Sequence, residues 1–364
     1  MKRKKRVIIG MSGGVDSSVA AALLKKRGYE VIGMTLQLLE KDKQEQSACC
    51  NLSSVNDAKR VAYQLKIPHY IIDIRQDFQE KVIQNFINQY HNGQTPNPCV
   101  ECNRHIKFDH ILKKASEIGF DLMATGHYCI RRKAPKKNIY HLYKGNDEKK
   151  DQSYFLYMLT QEQLKRTVFP LGGYTKPKIR ELAKQLNLVN AQKKESQEIC
   201  FVPKDYKKYV ESHSDTSQLK GNIELEDGTV IGTHPGIHHY TIGQSKGLGL
   251  SHHERLFVLK IIGQDKTVVV GPKEKLFRYN FTILKPSWIG NAPNTNDIFD
   301  LKVRYQMTSI KAKIKSEGEN QVQIESNHPI SSISPGQSAV LYQNNRVVGG
   351  GIVSIDEVVT NTQV

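Results

Sequence analysis

The sequence predicts an α/β chain: a doubly wound parallel sheet first, then a small, mostly β domain, then an antiparallel β-barrel. Three observations predict it. Over roughly the first 205 residues strand and helix signals alternate, as they do in parallel α/β sheets. Beyond that point glycines and turn residues separate short alternating runs, and long helical patterns stop. The first strand also runs straight into a glycine turn and a helix, a geometry that holds phosphate on backbone N–H groups.

The elements follow in order. "RVIIG" is a short β-branched run of the kind that makes a buried strand. "SSVAAALLKKRG" reads as a helix with Gly28 just past its end. "EVIGMTLQLL" is the second strand, and "SSVNDAKRVAYQL" a helix on which Ser54 and Asp57 are spaced as a capping box. "HYIIDI" gives a third strand. "FQEKVIQNFINQY" and "IKFDHILKKASEIG" give helices with apolar residues at three- and four-residue spacing, and "FDLMATGHY" follows. Ligands of such sheets bind at the carboxyl ends of the strands, so the glycine turn and "ATGHY" are expected to face one ligand.

In the second half, "LFVLKII", "KTVVVG", "LKVRYQ", "IKAKIK", "NQVQIES" and "SAVLYQNNRVVGGGIVS" read as antiparallel strands. The expected divisions are the α/β domain with the glycine turn over 1–205, a central β-rich domain over 206–275, and a β-barrel over 276–364. "KPSWIGNAPNTND" reads as a loop connecting the two β domains.

No apolar run approaches the roughly 20 residues of a transmembrane helix. The basic start "MKRKKR" leads into only a few apolar residues, too few for an export signal. A cytoplasmic chain with no membrane association is expected. There are 53 Lys plus Arg against 36 Asp plus Glu, a formal charge of +17. That excess suits a polyanionic partner, although a lysine-rich surface alone also accounts for it.

"GMSGGVDSSVAA" resembles a phosphate loop without its lysine: where the Walker pattern needs Gly-Lys-Ser/Thr, this chain has Val15, Asp16 and Ser17. The string Ser-Gly-Gly-Val-Asp-Ser-Ser is similar to the PP-loop of ATP pyrophosphatases (adenine nucleotide α-hydrolase-like enzymes). These cleave ATP between the α- and β-phosphates. Releasing intact pyrophosphate needs a cradle of backbone and hydroxyl groups, here Ser12, Gly13, Gly14, Ser17 and Ser18, and no lysine for the γ-phosphate. Asp16 is expected to position Mg²⁺ or a loop N–H.

Six cysteines in a cytosolic chain suggest reactive or metal-binding thiols before structural disulfides. Cys99 and Cys102 sit in "TPNPCVECN", read as a proline-stiffened loop, and Cys200 ends the first domain. A structural zinc site wants a second close pair. His105 or Cys200 could complete only a looser one. Cys49, Cys50 and Cys129 read as loop or packing thiols.

In sequence order, "SGGVDSSVAA", "TPNPCVECNRHIKF", "ATGHY", "KDQSYFLY", "FPLG", "ICFV", "TIGQSKGLGL", "VRYQ" and "SPGQ" resemble the tRNA-specific 2-thiouridylase (MnmA) family over essentially the whole chain. The resemblance implies ATP-dependent 2-thiolation of the wobble uridine in tRNAs of the Lys, Glu and Gln type, with AMP and pyrophosphate released. It implies a sulfur-relay protein or cysteine desulfurase as persulfide donor. A monomer is expected. Carried over position by position, the resemblance gives ATP to Gly10, Met11, Ser12, Gly13, Gly14, Val15, Asp16 and Ser17, with Met34 and Gly126 lining the pocket. Cys200 matches the persulfide carrier and Cys102 its nucleophilic partner, the pair ending as a disulfide. Asn97, Pro98 and Cys99 match the segment that touches the target base. His127, Lys150, Asp151, Gln152, Arg304, Tyr305 and Gln337 match tRNA contacts.

Many members of the family carry Asp where this chain has Cys99, and a glycine before the isoleucine of "SQEICF". Cys99, Cys102 and Cys200 also match the ligand set of a [4Fe–4S] cluster in related tRNA thiolases, an alternative route for the same reaction. Two other readings are weaker. A PP-loop amide-forming ligase has no use for the cysteine motifs, and a zinc RNA-binding protein has none for "SGGVDSS".

Overall fold

The computed structural model describes residues 4–40, 52–135, 138–195, 199–202, 205–215 and 219–355. Cys49 and Cys50 lie outside them. The chain forms two compact units: residues up to 83, 98–204 and 345–347 make the first, and 84–97, 205–344 and 348 onward make the second.

The first unit is built on an all-parallel five-stranded sheet, ordered β3-β2-β1-β4-β7. Its strands are β1 (Arg6–Gly10), β2 (Glu30–Gln37), β3 (His69–Asp73), β4 (Leu122–Ala124) and, after the hairpin of β5 (Cys129–Lys133) and β6 (Tyr140–Lys144), β7 (Thr167–Val168). Val7, Ile8 and Ile9 of β1 are wholly buried, as expected of a central strand covered on both faces. The covering helices include α1 (Val15–Lys26) and α2 (Leu52–Gln64), whose Val19, Leu24, Ala58 and Val61 join β1 in one core. The strand order reverses between β1 and β4, and such a switch point leaves a crevice at the carboxyl ends of the two strands. Gly10 ends β1 there, and Thr125 and Gly126 follow β4.

Two local expectations are corrected. Ser54 does not cap α2; it is buried inside the first turn, and its hydroxyl and Asp57 both meet Lys193. The "TPNPCVECN" segment is not a loop throughout, because Pro98–Cys102 forms a short helix, α3. Pro98 opens it, where a missing N–H costs nothing and the fixed φ suits a helix. The chain stays helical through a π-type turn, Asn103–Lys107, into α4 (Phe108–Glu117).

The second unit contains a four-stranded sheet and a barrel. The sheet, ordered β10-β11-β8-β9, comprises β8 (Gly221–Glu224), β9 (Val230–His234), β10 (Phe257–Ile262) and β11 (Thr267–Gly271). It is not uniformly antiparallel: β11 runs parallel to β8, with Val268 opposite Ile223. The barrel is formed by β12 (Phe277–Trp288), β13 (Ile298–Lys302), β14 (Ile310–Gly318), β15 (Gln321–Ser331), β16 (Ser338–Gln343) and β17 (Arg346–Ser354). The order β12-β15-β14-β13-β16-β17 closes through a β12–β17 pairing. Alternating Val322, Ile324 and their partners Phe281 and Ile283 fill its interior. "KPSWIGNAPNTND" is therefore not an interdomain link. Its first four residues belong to β12, and the rest leads to β13 within the barrel.

Among the described residues no helix is long and apolar enough to cross a membrane.

Candidate functional site

The phosphate loop leaves β1 at Gly10 and enters α1 at Gly14, whose extended backbone (φ −83°, ψ 161°) caps the helix without a side-chain hydrogen bond. The first N–H groups of α1 are thus offered to an anion at the positive end of the helix. Gly13 makes the turn possible. Its φ is +71°, and a Cβ there would stand 2.0 Å from the Ser54 carbonyl oxygen. No other residue supplies both the left-handed conformation and that clearance. Hydroxyls brace the turn from inside: Ser17 Oγ and Ser18 Oγ donate to the Gly14 carbonyl at 3.1 and 2.9 Å, and Ser12 N–H donates to Ser17 Oγ at 3.3 Å. Asn190 locks it from outside, donating to the Gly13 carbonyl at 3.0 Å and to Ser18 Oγ at 2.9 Å.

Not every residue expected at the nucleotide offers its side chain. Met11, Val15 and Met34 are buried in the hydrophobic interior, so Met11 and Val15 shape the loop through their backbones. The Met11 N–H donates to the Met34 carbonyl at 2.7 Å, tying the loop to β2. Gly126 approaches the start of α1 closely; a Cβ there would lie 2.9 Å from the Ser17 nitrogen. The loops after β1 and β4 therefore meet, as the switch point requires.

The lysine missing from the loop arrives from elsewhere. Lys176 opens the helix Lys176–Gln185, α5, and its backbone N–H donates to Asp147 Oδ2 at 2.8 Å. Its buried ammonium donates to Asp16 Oδ1 and Oδ2 at 2.7 and 2.8 Å. Tyr128 donates to the same Oδ1 at 2.7 Å, and burial together with Asp16 pushes its phenol pKa far up, keeping the proton on. Lys176 also pairs with Glu195 at 2.5 Å, and Lys150 pairs with the other Glu195 oxygen at 2.6 Å. Burial opposes the Glu195 charge, but hydrogen bonds from Lys150 and Lys176 prevail and bring the carboxyl down to about 2. The loop thus faces a chain of alternating charges, Asp16–Lys176–Glu195–Lys150.

On α3, Cys99 is exposed and Cys102 buried; Cys200 is half-buried, and Cys129 is fully buried, its thiol pKa raised by burial. The next side chain, Asn103, donates to the Phe155 carbonyl at 3.1 Å and anchors the segment. Among the described residues one group brings three His, Cys, Asp or Glu ligand atoms within 4.8 Å of one another, and it contains none of these cysteines.

The residues matched to tRNA contacts differ in what they have left to offer. His127 accepts or donates at Thr125 Oγ1, 2.8 Å away, and stacks near Phe108; burial lowers its pKa to about 3, so the ring is neutral. Asp151 is turned inward: its carboxylate accepts from Gly145 N–H, Ser153 N–H and Ser153 Oγ at 3.0, 3.1 and 2.8 Å. Gln152 holds the Tyr128 backbone at both ends, at 3.1 and 3.0 Å. In the second unit, Arg304 and Tyr305 lie just beyond β13, Arg304 exposed and donating to the Ser331 carbonyl at 3.1 Å. Gln337 donates to the carbonyls of Thr95 and Pro96, both at 3.1 Å, and so steadies the backbone leading to half-buried Asn97 and buried Pro98.

Sequence reasoning missed Tyr128, Lys176, Asn190 and Glu195. Tyr128 ends the "ATGHY" string and was the one within reach. Lys176 and Asn190 lie 160 and 177 positions from their loop partners, with nothing local to mark them.

Three family models match the chain: a tRNA methyl transferase HUP domain over residues 5–204, a tRNA methyl transferase PRC-barrel domain over 207–272, and an aminomethyltransferase β-barrel domain over 278–353. The tRNA-specific 2-thiouridylase MnmA of Geobacter metallireducens is 43% identical over 357 residues, spanning 96% of this chain and 97% of that one. The protein of the same description from Geotalea uraniireducens is 45% identical over 356 residues, 96% of this chain and 95% of that one. That from Clostridium acetobutylicum is 44% identical over 354 residues, with 96% and 99% covered.

Proposed function

The chain belongs to the family of tRNA-specific 2-thiouridylases, and on that premise we propose that it is an ATP-dependent tRNA-uridine 2-sulfurtransferase. The observation that supports this best is one compact unit holding both the phosphate-cradling turn and the Cys99–Cys102 helix. The substrate is the wobble uridine of tRNAs of the Lys, Glu and Gln type. The cradle suits ATP, because no side chain caps α1 and its first backbone N–H groups are left for an anion. Bound ATP supplies the adenylyl group that makes the uridine C2 oxygen a leaving group, giving AMP and pyrophosphate. Backbone N–H groups at residues 13–17 hold the phosphates, and Lys176 supplies the positive charge that the loop itself lacks. Asp16, already held by Lys176 and Tyr128, would be the residue to position a Mg²⁺, which would neutralise charge on the departing pyrophosphate.

Sulfur arrives on Cys200 as a persulfide from a cysteine desulfurase or sulfur-relay protein. The Cys102 thiolate attacks the inner sulfur, forming a Cys102–Cys200 disulfide and releasing hydrosulfide. Hydrosulfide displaces AMP at C2, and an external thiol returns two electrons to reduce the disulfide. The alternative route for the same reaction has Cys99, Cys102 and Cys200 as ligands of a [4Fe–4S] cluster, which those three thiolates would hold with one iron left open. The same reading takes 1–205 as the ATP domain, 206–275 as a central domain and 276–364 as a tRNA-contacting barrel. It takes the cytoplasm as compartment and a monomer as the working state.

The test is thiolation of tRNA with Mg²⁺-ATP and a persulfide source, following nucleotide products and protein iron together. AMP and pyrophosphate should form in step with thiolated tRNA. ADP and phosphate would overturn the reading, and a full complement of cluster iron and sulfide would replace the persulfide route.

A further inference from the structure

A separate cluster in the second unit has the chemistry of a metal site. It joins the helix Tyr206–Glu211 to the short 3-10 turn Ile237–His239. Glu211, His238 and His239 each bring a ligand atom within 4.8 Å of the other two, the one such group among the described residues. Glu211 Oε1 lies 2.8 Å from His239 Nε2 and 3.5 Å from His238 Nε2. A tetrahedral zinc ion with donors at about 2.0 Å sets neighbouring donors roughly 3.3 Å apart. The two distances to Glu211 bracket that value, and the two imidazoles bring ligand nitrogens within 4.8 Å of each other.

An ion pair between His239 and Glu211 would explain those two residues alone. It leaves His238 unexplained. That ring is 1% exposed, and neither of its nitrogens makes a hydrogen bond. A buried polar group in that state costs about 1–3 kcal/mol. The ring is nevertheless seated deliberately: a Cβ at Gly236 would lie 2.4 Å from its Cε1 and 2.6 Å from its Nδ1, so only glycine leaves room for it. Burial brings the His238 pKa down to about 4, so the ring is neutral and has a lone pair to give. The hydrogen bond from His239 holds the Glu211 carboxyl below its ordinary range, so it is an anion. The side chains of His239 and Glu211 are 23% and 33% exposed, which gives an ion its way in.

We propose that Glu211, His238 and His239 form a binding site for a divalent transition-metal ion of the zinc type, with water at the fourth position. Two imidazoles and one carboxylate are a borderline donor set that suits zinc and its cobalt substitute. The ion takes the place of the hydrogen between His239 Nε2 and Glu211 Oε1, and any proton it displaces from that nitrogen leaves to solvent. It satisfies His238 Nε2 and fastens the helix to the turn.

The test is a Co²⁺ titration of the full chain after chelator treatment, read in the visible spectrum, with the thiolate-to-cobalt band in the near ultraviolet reporting any cysteine ligand. One equivalent should bind with nitrogen and oxygen ligands only, and Zn²⁺ should displace it. His238→Ala and the near-isosteric Glu211→Gln should each weaken binding about tenfold or more, since even outer-shell changes cost about that much. At equal Zn²⁺ the melting temperature should rise clearly less in Glu211→Gln than in the native chain, which keeps the test valid if His238→Ala misfolds. Binding that survives both substitutions, or a purely thiolate spectrum, would overturn the proposal.

Discussion

The phosphate loop and the cysteine segment belong to one compact unit, but the chain fixes them by opposite means. In the loop, backbone groups form the proposed cradle and side chains from afar hold it: Asn190 on the Gly13 carbonyl, Lys176 and Tyr128 on Asp16. In the cysteine segment, a short local helix sets the positions, and the two thiols differ in how far each is sunk into the protein. A backbone site therefore tolerates little change anywhere around it, whereas a side-chain site on a helix can be altered one thiol at a time.

The largest expected break of this contrast is Gly13→Ala. The left-handed φ and a Cβ 2.0 Å from a backbone oxygen cannot both be relieved by side-chain movement. Strain and clash together should cost about 3 kcal/mol or more, and pyrophosphate release should vanish. Urea unfolding and a pyrophosphate assay measure the two effects; native-like stability would show that the turn is not built as described.

Lys176→Met should cost less. Removing one partner of a fully buried pair costs about 3–5 kcal/mol. Here the Asp16 and Glu195 side chains are 32% and 27% exposed, which reduces the expectation to roughly 2 kcal/mol. The effect also has a pH signature. The folded pKa of Glu195, about 2, lies below its ordinary 4.5. Its contribution is complete above the ordinary value and is lost as pH falls toward 2. Urea midpoints compared at pH 5 and pH 3 should therefore drop less in Lys176→Met than in the native chain. Parallel decreases would remove Glu195 from the network.

The smallest effect sharpens the other side of the comparison. Cys102→Ser places a hydroxyl at a 5% exposed position and should cost about 1 kcal/mol. Cys99→Ser, at an exposed position, should stay within about 0.5 kcal/mol. In the folded chain a maleimide should label Cys99 well before Cys102; equal rates would mean that α3 does not hold the exposures seen here.

The sequence by itself determined the strand–turn–helix at residues 6–26, the parallel α/β order of the first unit and the β-rich character of the second. Each follows from local signals: unbroken apolar runs, three- and four-residue spacing, and glycines where the backbone turns. The turn at residues 10–17 was legible for the same reason, whereas the nucleotide assigned to it came from the family resemblance. The tertiary structure alone decided how Asp16 is held, because Tyr128, Lys176 and Asn190 reach the loop from 112 to 177 positions away. It also turned Asp151 inward, made β11 parallel to β8, and separated exposed Cys99 from buried Cys102. Periodicity records which face of an element is apolar. It holds no record of which distant charge that face will meet, because an ion pair needs only one residue from each partner and leaves no pattern in either.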